Sequence, residues 1–212
     1  MKETTEAIFE DLFARYPALE VCRNQVKEAY EALLATYRAG CKVLCCGNGG
    51  SASDSEHIVG ELLKKFKKHR DIPADLKAKL LAAGPEGAQL AEKLEGSLGA
   101  VSLLSMSGIL TAFANDVGWD EAFAQQLLGL ARPGDVLVAL STSGNSRNCV
   151  NAAVLARALG VKTIGLTGAK GGRFKEICNV AVCVPAMETY QIQEYHLPVY
   201  HALCAMLESE RF

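Results

Sequence analysis

Short, wholly apolar runs alternate along this chain with segments whose apolar residues recur every three or four positions. The two rhythms divide it into strands and helices. Residues 3–16 and 20–38 carry apolar side chains at helical spacing (Ile8, Leu12, Phe13; then Val21, Val26, Tyr30, Leu33, Leu34, Tyr37) and split near Tyr16-Pro17. A strand is predicted at 42–46, then a helix from about 51 to 68. Residues 71–98, with Pro73 and Gly84-Pro85, predict one or two short helices without a strong apolar face. A second strand at 99–103 leads to helices at 107–114 and 120–130. Strands follow at 135–140, 161–166 and 179–184, with a helical pattern from Asn145 to Leu159 and a final helix over 188–209 containing Pro198. Apolar strands alternating with helices predict an α/β protein, a three-layer αβα sandwich around a five-stranded parallel sheet.

Two of the strand-to-helix junctions share an unusual chemistry. After Val136–Leu140 the chain reads Ser141-Thr-Ser-Gly-Asn-Ser146, and a helix begins at once. Such a turn gathers unpaired backbone N–H groups, the positive end of a helix dipole and several hydroxyls, which together suit a phosphate group. Gly144 is free to take a positive φ there. A helix cap needs one serine; four hydroxyls around a glycine point beyond capping. The earlier junction, Lys42-Val-Leu-Cys-Cys-Gly-Asn-Gly-Gly-Ser51, is of the same kind. Its glycines do not follow the G-x-G-x-x-G spacing and no Gly-Lys-Ser/Thr follows, so neither junction predicts a nucleotide cofactor. Both turns belong at the carboxyl edge of the sheet, where open α/β folds bind ligands.

Composition narrows the picture further. A chain of 212 residues, half of them hydrophobic, can bury a full core as one domain. A net charge of −2 gives no reason to expect nucleic-acid or membrane-surface partners. The basic run Lys64-Lys65-Phe66-Lys67-Lys68-His69-Arg70 reads as a solvated helix end. No apolar stretch approaches a membrane span and the N-terminus lacks a signal-peptide pattern, so a cytoplasmic protein is expected. The eight cysteines form no C-x-x-C pair and read as small buried hydrophobes.

Two of the four histidines stand in suggestive places. His57 and Glu61 lie four apart on the helix leaving the first glycine turn, and so share a face. On the final helix Gln193 and His201, eight apart, fall within about a quarter turn of each other. His196 cannot share one face with both and is the weaker rival to His201. An imidazole and a carboxylate at this spacing, with a second histidine, can hold zinc, or can act as general base and acid. An ordinary surface pair and a core histidine are the bland alternatives.

Taken in order, Cys46-Gly-Asn-Gly-Gly-Ser51, His57-x-x-x-Glu61-Leu62, Asn115-Asp116, Leu140-Ser-Thr-Ser-Gly-Asn-Ser146, Thr167-Gly168 and Ile192-Gln-Glu-x-His196 with His201 resemble the sugar isomerase (SIS) domain family, most closely its phosphoheptose isomerase branch. The resemblance implies one SIS domain over residues 1–212, flavodoxin- or Rossmann-like. Residues 1–38 would be a helical hairpin used in oligomerisation, and 64–98 an insertion. It implies conversion of sedoheptulose 7-phosphate to D-glycero-D-manno-heptose 7-phosphate through an enediol, feeding ADP-heptose and cell-surface polysaccharide synthesis. Glu61 would be the base and His201 the acid. Ser51, Ser141, Thr142, Ser143 and Ser146 would hold the phosphate, and Asn48, Gly49, Gly50, Asn115, Asp116 and Gln193 would contact the substrate. His57, Glu61, Gln193 and His201 would bind one zinc ion per subunit. A homotetramer with sites between subunits is implied as well.

Two departures keep alternatives open. Met187-Glu-Thr-Tyr-Gln191 lacks the acidic-then-basic pair expected just before Gln193, and the 64–98 segment is long. Another SIS phosphosugar isomerase or lyase remains a reading, as does a non-catalytic SIS scaffold of the replication-initiation type.

Overall fold

The computed structural model describes residues 1–212. Helix α1 (Glu3–Arg15) is followed by a 3-10 segment at Pro17–Cys22 and by α2 (Arg23–Arg38). Then come β1 (Val43–Cys46), α3 (Gly50–Leu63), α4 (Ala74–Ala82), α5 (Pro85–Lys93), β2 (Ala100–Ser102), α6 (Ser107–Asp116) and, after a 3-10 turn, α7 (Ala122–Leu130). The chain ends with β3 (Val136–Leu140), α8 (Arg147–Ala158), β4 (Lys162–Thr167), α9 (Phe174–Ile177), β5 (Val180–Cys183) and α10 (Thr189–Arg211).

All strand pairs are parallel, in the order β2-β1-β3-β4-β5. Each face is covered, which is why β1 and β3 can be apolar at every position. Val43 and Cys45 face a core built with α1, α2, α3 and α10. Leu44 and Cys46 face the opposite core, built with α6, α7, α8 and α9. That alternation makes the three layers the sequence predicts. The strand order reverses between β1 and β3, so the two glycine-bearing turns flank the switch point of the sheet, where a crevice must open. At the other end of the same strands, Asp135 accepts from the Lys42 and Arg132 amides at 2.9 and 2.8 Å and pairs with Lys42 Nζ.

One boundary differs from the sequence expectation, and the basic run with it. Helix α3 stops at Leu63 rather than near residue 68, and the run is not simply a solvated helix end. Arg70 is fully buried. Its guanidinium donates to Glu208 Oε1 at 2.7 Å and to the carbonyls of Leu62 and Glu61 at 2.7 and 2.8 Å. Glu208 also accepts the amides of Phe66, Lys67 and Lys68. Arg70 thus caps the orphan carbonyls at the C-terminus of α3, while Glu208 straps the following segment onto α10. Burial alone would raise the Glu208 carboxyl. The Phe66 and Lys67 amides and the Arg70 guanidinium outweigh it and hold the pKa below the ordinary carboxylate value. Within 64–98, α4 and α5 form a helical pair as expected, and α4 buries none of its residues. No helix is long and apolar enough to cross a membrane.

Candidate active site

The hydroxyl turn closes on itself. Ser141 is buried, and its Oγ lies 2.9 Å from Ser146 Oγ and accepts the Ser146 amide at 3.3 Å. Ser143 Oγ accepts the Asn145 amide at 3.1 Å. Gly144 takes φ +67° and packs against the Gly171 carbonyl and Thr167, where a Cβ would collide. Thr142 and Ser143 line a cavity of about 300 Å³ with Asn145, Gly168, Lys170 and Ile192. Lys170 adds a cation beside these hydroxyls.

The first glycine turn is tied to the second. Gly49 takes φ +58° immediately before α3, and Ser51 is buried in the first turn of that helix. Asn48 and Asn148 exchange two amide hydrogen bonds, each 2.9 Å, across the switch point. The Asn48 amide, expected to touch the substrate, is thus engaged within the chain. Asn148 carries no motif of its own and was missed. Gln193 packs against Gly50, where a Cβ would come within 2.6 Å of its Nε2, so a larger residue would displace the Gln193 amide.

Farther along the same two helices lies the acid–base cluster. His57 Nε2 is 3.2 Å from Glu61 Oε1 and 3.4 Å from His201 Nε2. The Glu61 side chain is 13% exposed against 43% for His57, so the carboxylate sits at the inner end of the row. Tyr200 stands behind His57, its hydroxyl 3.0 Å from Nδ1. His201 opens into a cavity of about 370 Å³ lined also by Phe66, Leu197, Pro198 and residues of α1. Burial, and after it the neighbouring His57, lowers the His201 pKa from its ordinary value. His196 is fully enclosed and neither ring nitrogen has a partner. Burial pushes its pKa down to about 4, with the Thr167 backbone nearby opposing weakly. Of the two histidines, His201 is the one that the structure brings to the His57–Glu61 pair.

Zinc holds imidazole nitrogen and carboxylate oxygen at about 2.0–2.2 Å in a tetrahedral shell, which sets neighbouring donors about 3.3 Å apart. The Glu61–His57 and His57–His201 separations fit. The three do not close around one point, and no group of three or more His, Cys, Asp or Glu side chains is arranged to hold a metal ion. Gln193 stands apart, against Gly50, seven residues and ~10 Å along α3 from His57. Asn115 and Asp116 lie at the end of α6, exposed and hydrogen-bonded to each other, and neither bonds to the turns or to the imidazole cluster.

Comparison with known proteins finds relatives over most of the chain. Residues 90–168 match the family model described as SIS domain. The chain is 40% identical over 195 residues to a phosphoheptose isomerase of Akkermansia muciniphila, covering 92% of this chain and 90% of that protein. It is 42% identical over 187 residues to the Rhodospirillum rubrum phosphoheptose isomerase, covering 88% and 86%. The solved phosphoheptose isomerase of Neisseria gonorrhoeae superposes with a TM-score of 0.73 at 32% identity over 98% of each chain. That of Francisella tularensis superposes with a TM-score of 0.75 at 27% identity, covering 99% and 100%. On fold, crevice and relatives alike, the chain belongs to the phosphoheptose isomerase family of SIS-domain enzymes.

Proposed function

We propose that this chain interconverts sedoheptulose 7-phosphate and D-glycero-D-manno-heptose 7-phosphate, with Glu61 as the proton-moving base. The observation that carries the reading is the row Glu61–His57–His201 at 3.2 and 3.4 Å, set on the helices whose other ends frame the hydroxyl turn. From Gln193, packed against Gly50 at the first glycine turn, to His201 is ~12 Å along α10. A seven-carbon ketose phosphate likewise carries its C1–C2 pair at the far end of the molecule from its phosphate.

The chemistry needs few groups. The hydroxyls of Ser141, Thr142, Ser143 and Ser146, the turn amides and Lys170 hold the phosphate dianion, with Ser51 and the start of α3 on the facing side. Glu61 removes a proton from C1 and returns one to C2 of the enediol, while His201 gives a proton to the C2 oxygen as it becomes a hydroxyl and takes the proton of the C1 oxygen as that becomes the carbonyl. Burial, and then His57, lower the His201 pKa and so favour the neutral imidazole. His57, Glu61, Gln193 and His201 are the residues that would hold a zinc ion. When bound, zinc supplies charge stabilisation for the developing oxyanion.

Residues 1–212 are read as one SIS domain with 64–98 as its insertion, assembling as a homotetramer. The cavity between α1 and His201, and the outward-facing Asn115-Asp116 pair, are where a second copy would add to the site. Eight free thiols suit a reducing cytoplasm. Incubating the purified, zinc-supplied chain with sedoheptulose 7-phosphate and following the aldose by NMR tests the activity. No turnover of this or any related ketose phosphate would refute it.

A further inference from the structure

Tyr200 sits where α10 crosses α3, and its hydroxyl stands between two side chains of the facing helix. It is 3.1 Å from Asp54 Oδ1 and 3.0 Å from His57 Nδ1. Asp54 and His57 are three apart, so both present to the same side of α3. Tyr200 is the one hydrogen-bond partner of Asp54, whose second oxygen is buried without any.

The proton inventory decides the direction of this chain. A tyrosine hydroxyl has one proton to donate, and an ionised carboxylate can only accept. That proton therefore goes to Asp54. The Tyr200 oxygen can then only accept from His57, which requires a hydrogen on Nδ1. A neutral imidazole carries one ring proton, so Nε2 is bare.

The bare nitrogen faces Glu61 Oε1 at 3.2 Å and His201 Nε2 at 3.4 Å. A lone pair aimed at a carboxylate oxygen is repulsive until a cation comes between them. Tyr200 would thus make the cluster cation-seeking, and it does so from outside the cluster.

We propose that Tyr200, backed by Asp54, is a positioning residue that fixes His57 in the Nδ1–H tautomer and presents its bare Nε2 toward Glu61 and His201. The use made of that nitrogen rests on the zinc reading above; the tautomer does not. Outer partners of this sort typically change metal affinity 10–100-fold when removed.

The test uses the full-length chain labelled with nitrogen-15 histidine, freed of metal by a chelator and held near pH 8. A His57→Gln spectrum identifies the His57 signals. The unaltered chain is expected to show Nδ1 protonated and Nε2 bare. Tyr200→Phe, which keeps the ring and its packing, should move the signals toward the Nε2–H form. It should also weaken zinc binding about 10–100-fold in competition with a chromophoric chelator. Asp54→Asn, still able to accept from Tyr200, should shift both in the same direction by less. A bare Nδ1 in the unaltered chain means that a protonated Asp54 runs the relay the other way, and overturns the proposal. Nitrogen shifts unmoved in Tyr200→Phe overturn it too, and undiminished zinc affinity overturns the metal-directed use of that nitrogen. If Tyr200→Phe does not fold, the unaltered spectrum and Asp54→Asn decide. A chain that shows the Nδ1–H tautomer but turns over no ketose phosphate would remove the isomerase reading and leave this one standing.

Discussion

Asn48 and Asn148 bind each other through both halves of their side-chain amides, two hydrogen bonds of 2.9 Å across the point where the strand order reverses. Asn148 is buried, and its Oδ1 also accepts the Cys149 amide. The pair fixes the glycine turn after β1 to the hydroxyl turn after β3 and so sets the width of the crevice between them. Asn148→Ala leaves the Asn48 amide without its partner, at a cost of about 1–3 kcal/mol. Denaturant unfolding should show that loss, and KM for the ketose phosphate should rise with it.

Ser141 organises the second turn by bonding Ser146 through both its hydroxyl and its backbone amide. Ser141→Ala should raise KM about tenfold and lower kcat far less, because phosphate contacts act on ground and transition states alike. Inhibition by inorganic phosphate should weaken in parallel. A loss confined to kcat would remove the phosphate role.

Arg70 and Glu208 form a buried ion pair with every strong donor and acceptor engaged. Removing one partner of such a pair typically costs about 3–5 kcal/mol. Arg70→Met should therefore lower the unfolding free energy by that order. It should also reduce kcat, since Arg70 holds the backbone carbonyl of Glu61 itself.

His196 gives a pH signature. Its folded pKa of about 4 lies below the ordinary histidine value of 6.5, so the unfolded chain binds the extra proton first as pH falls. Stability from this group is complete above pH 6.5 and declines down to about pH 4, by roughly 3 kcal/mol at most. Thermal unfolding across that interval should show the decline. His196→Phe should flatten the slope by close to one proton.

The sheet and its two turns were legible because they follow local rules. β1 and β3 are apolar at every position, and each ends in a glycine turn that no other element tolerates. The His57–Glu61 pair was legible from helical spacing, and His201 from its quarter-turn relation to Gln193. What escaped depends on partners distant in sequence. The end of α3 at Leu63 is set by Arg70 finding Glu208, 138 positions away. Asn148 matters only through Asn48, and Tyr200 only through His57 and Asp54. Asn115 and Asp116, joined to the substrate only by resemblance, point outward in a single chain.

The role of Glu61 is tested most directly by running the reaction in deuterium oxide and reading both turnover and label by NMR. With the unaltered chain we expect aldose formation with solvent deuterium at C2. With Glu61→Gln we expect turnover lower by about 10²–10⁴-fold, no label above background, and inorganic phosphate inhibition constants within about twofold of the unaltered chain. Glu61→Gln turning over at the unaltered rate would contradict the assignment.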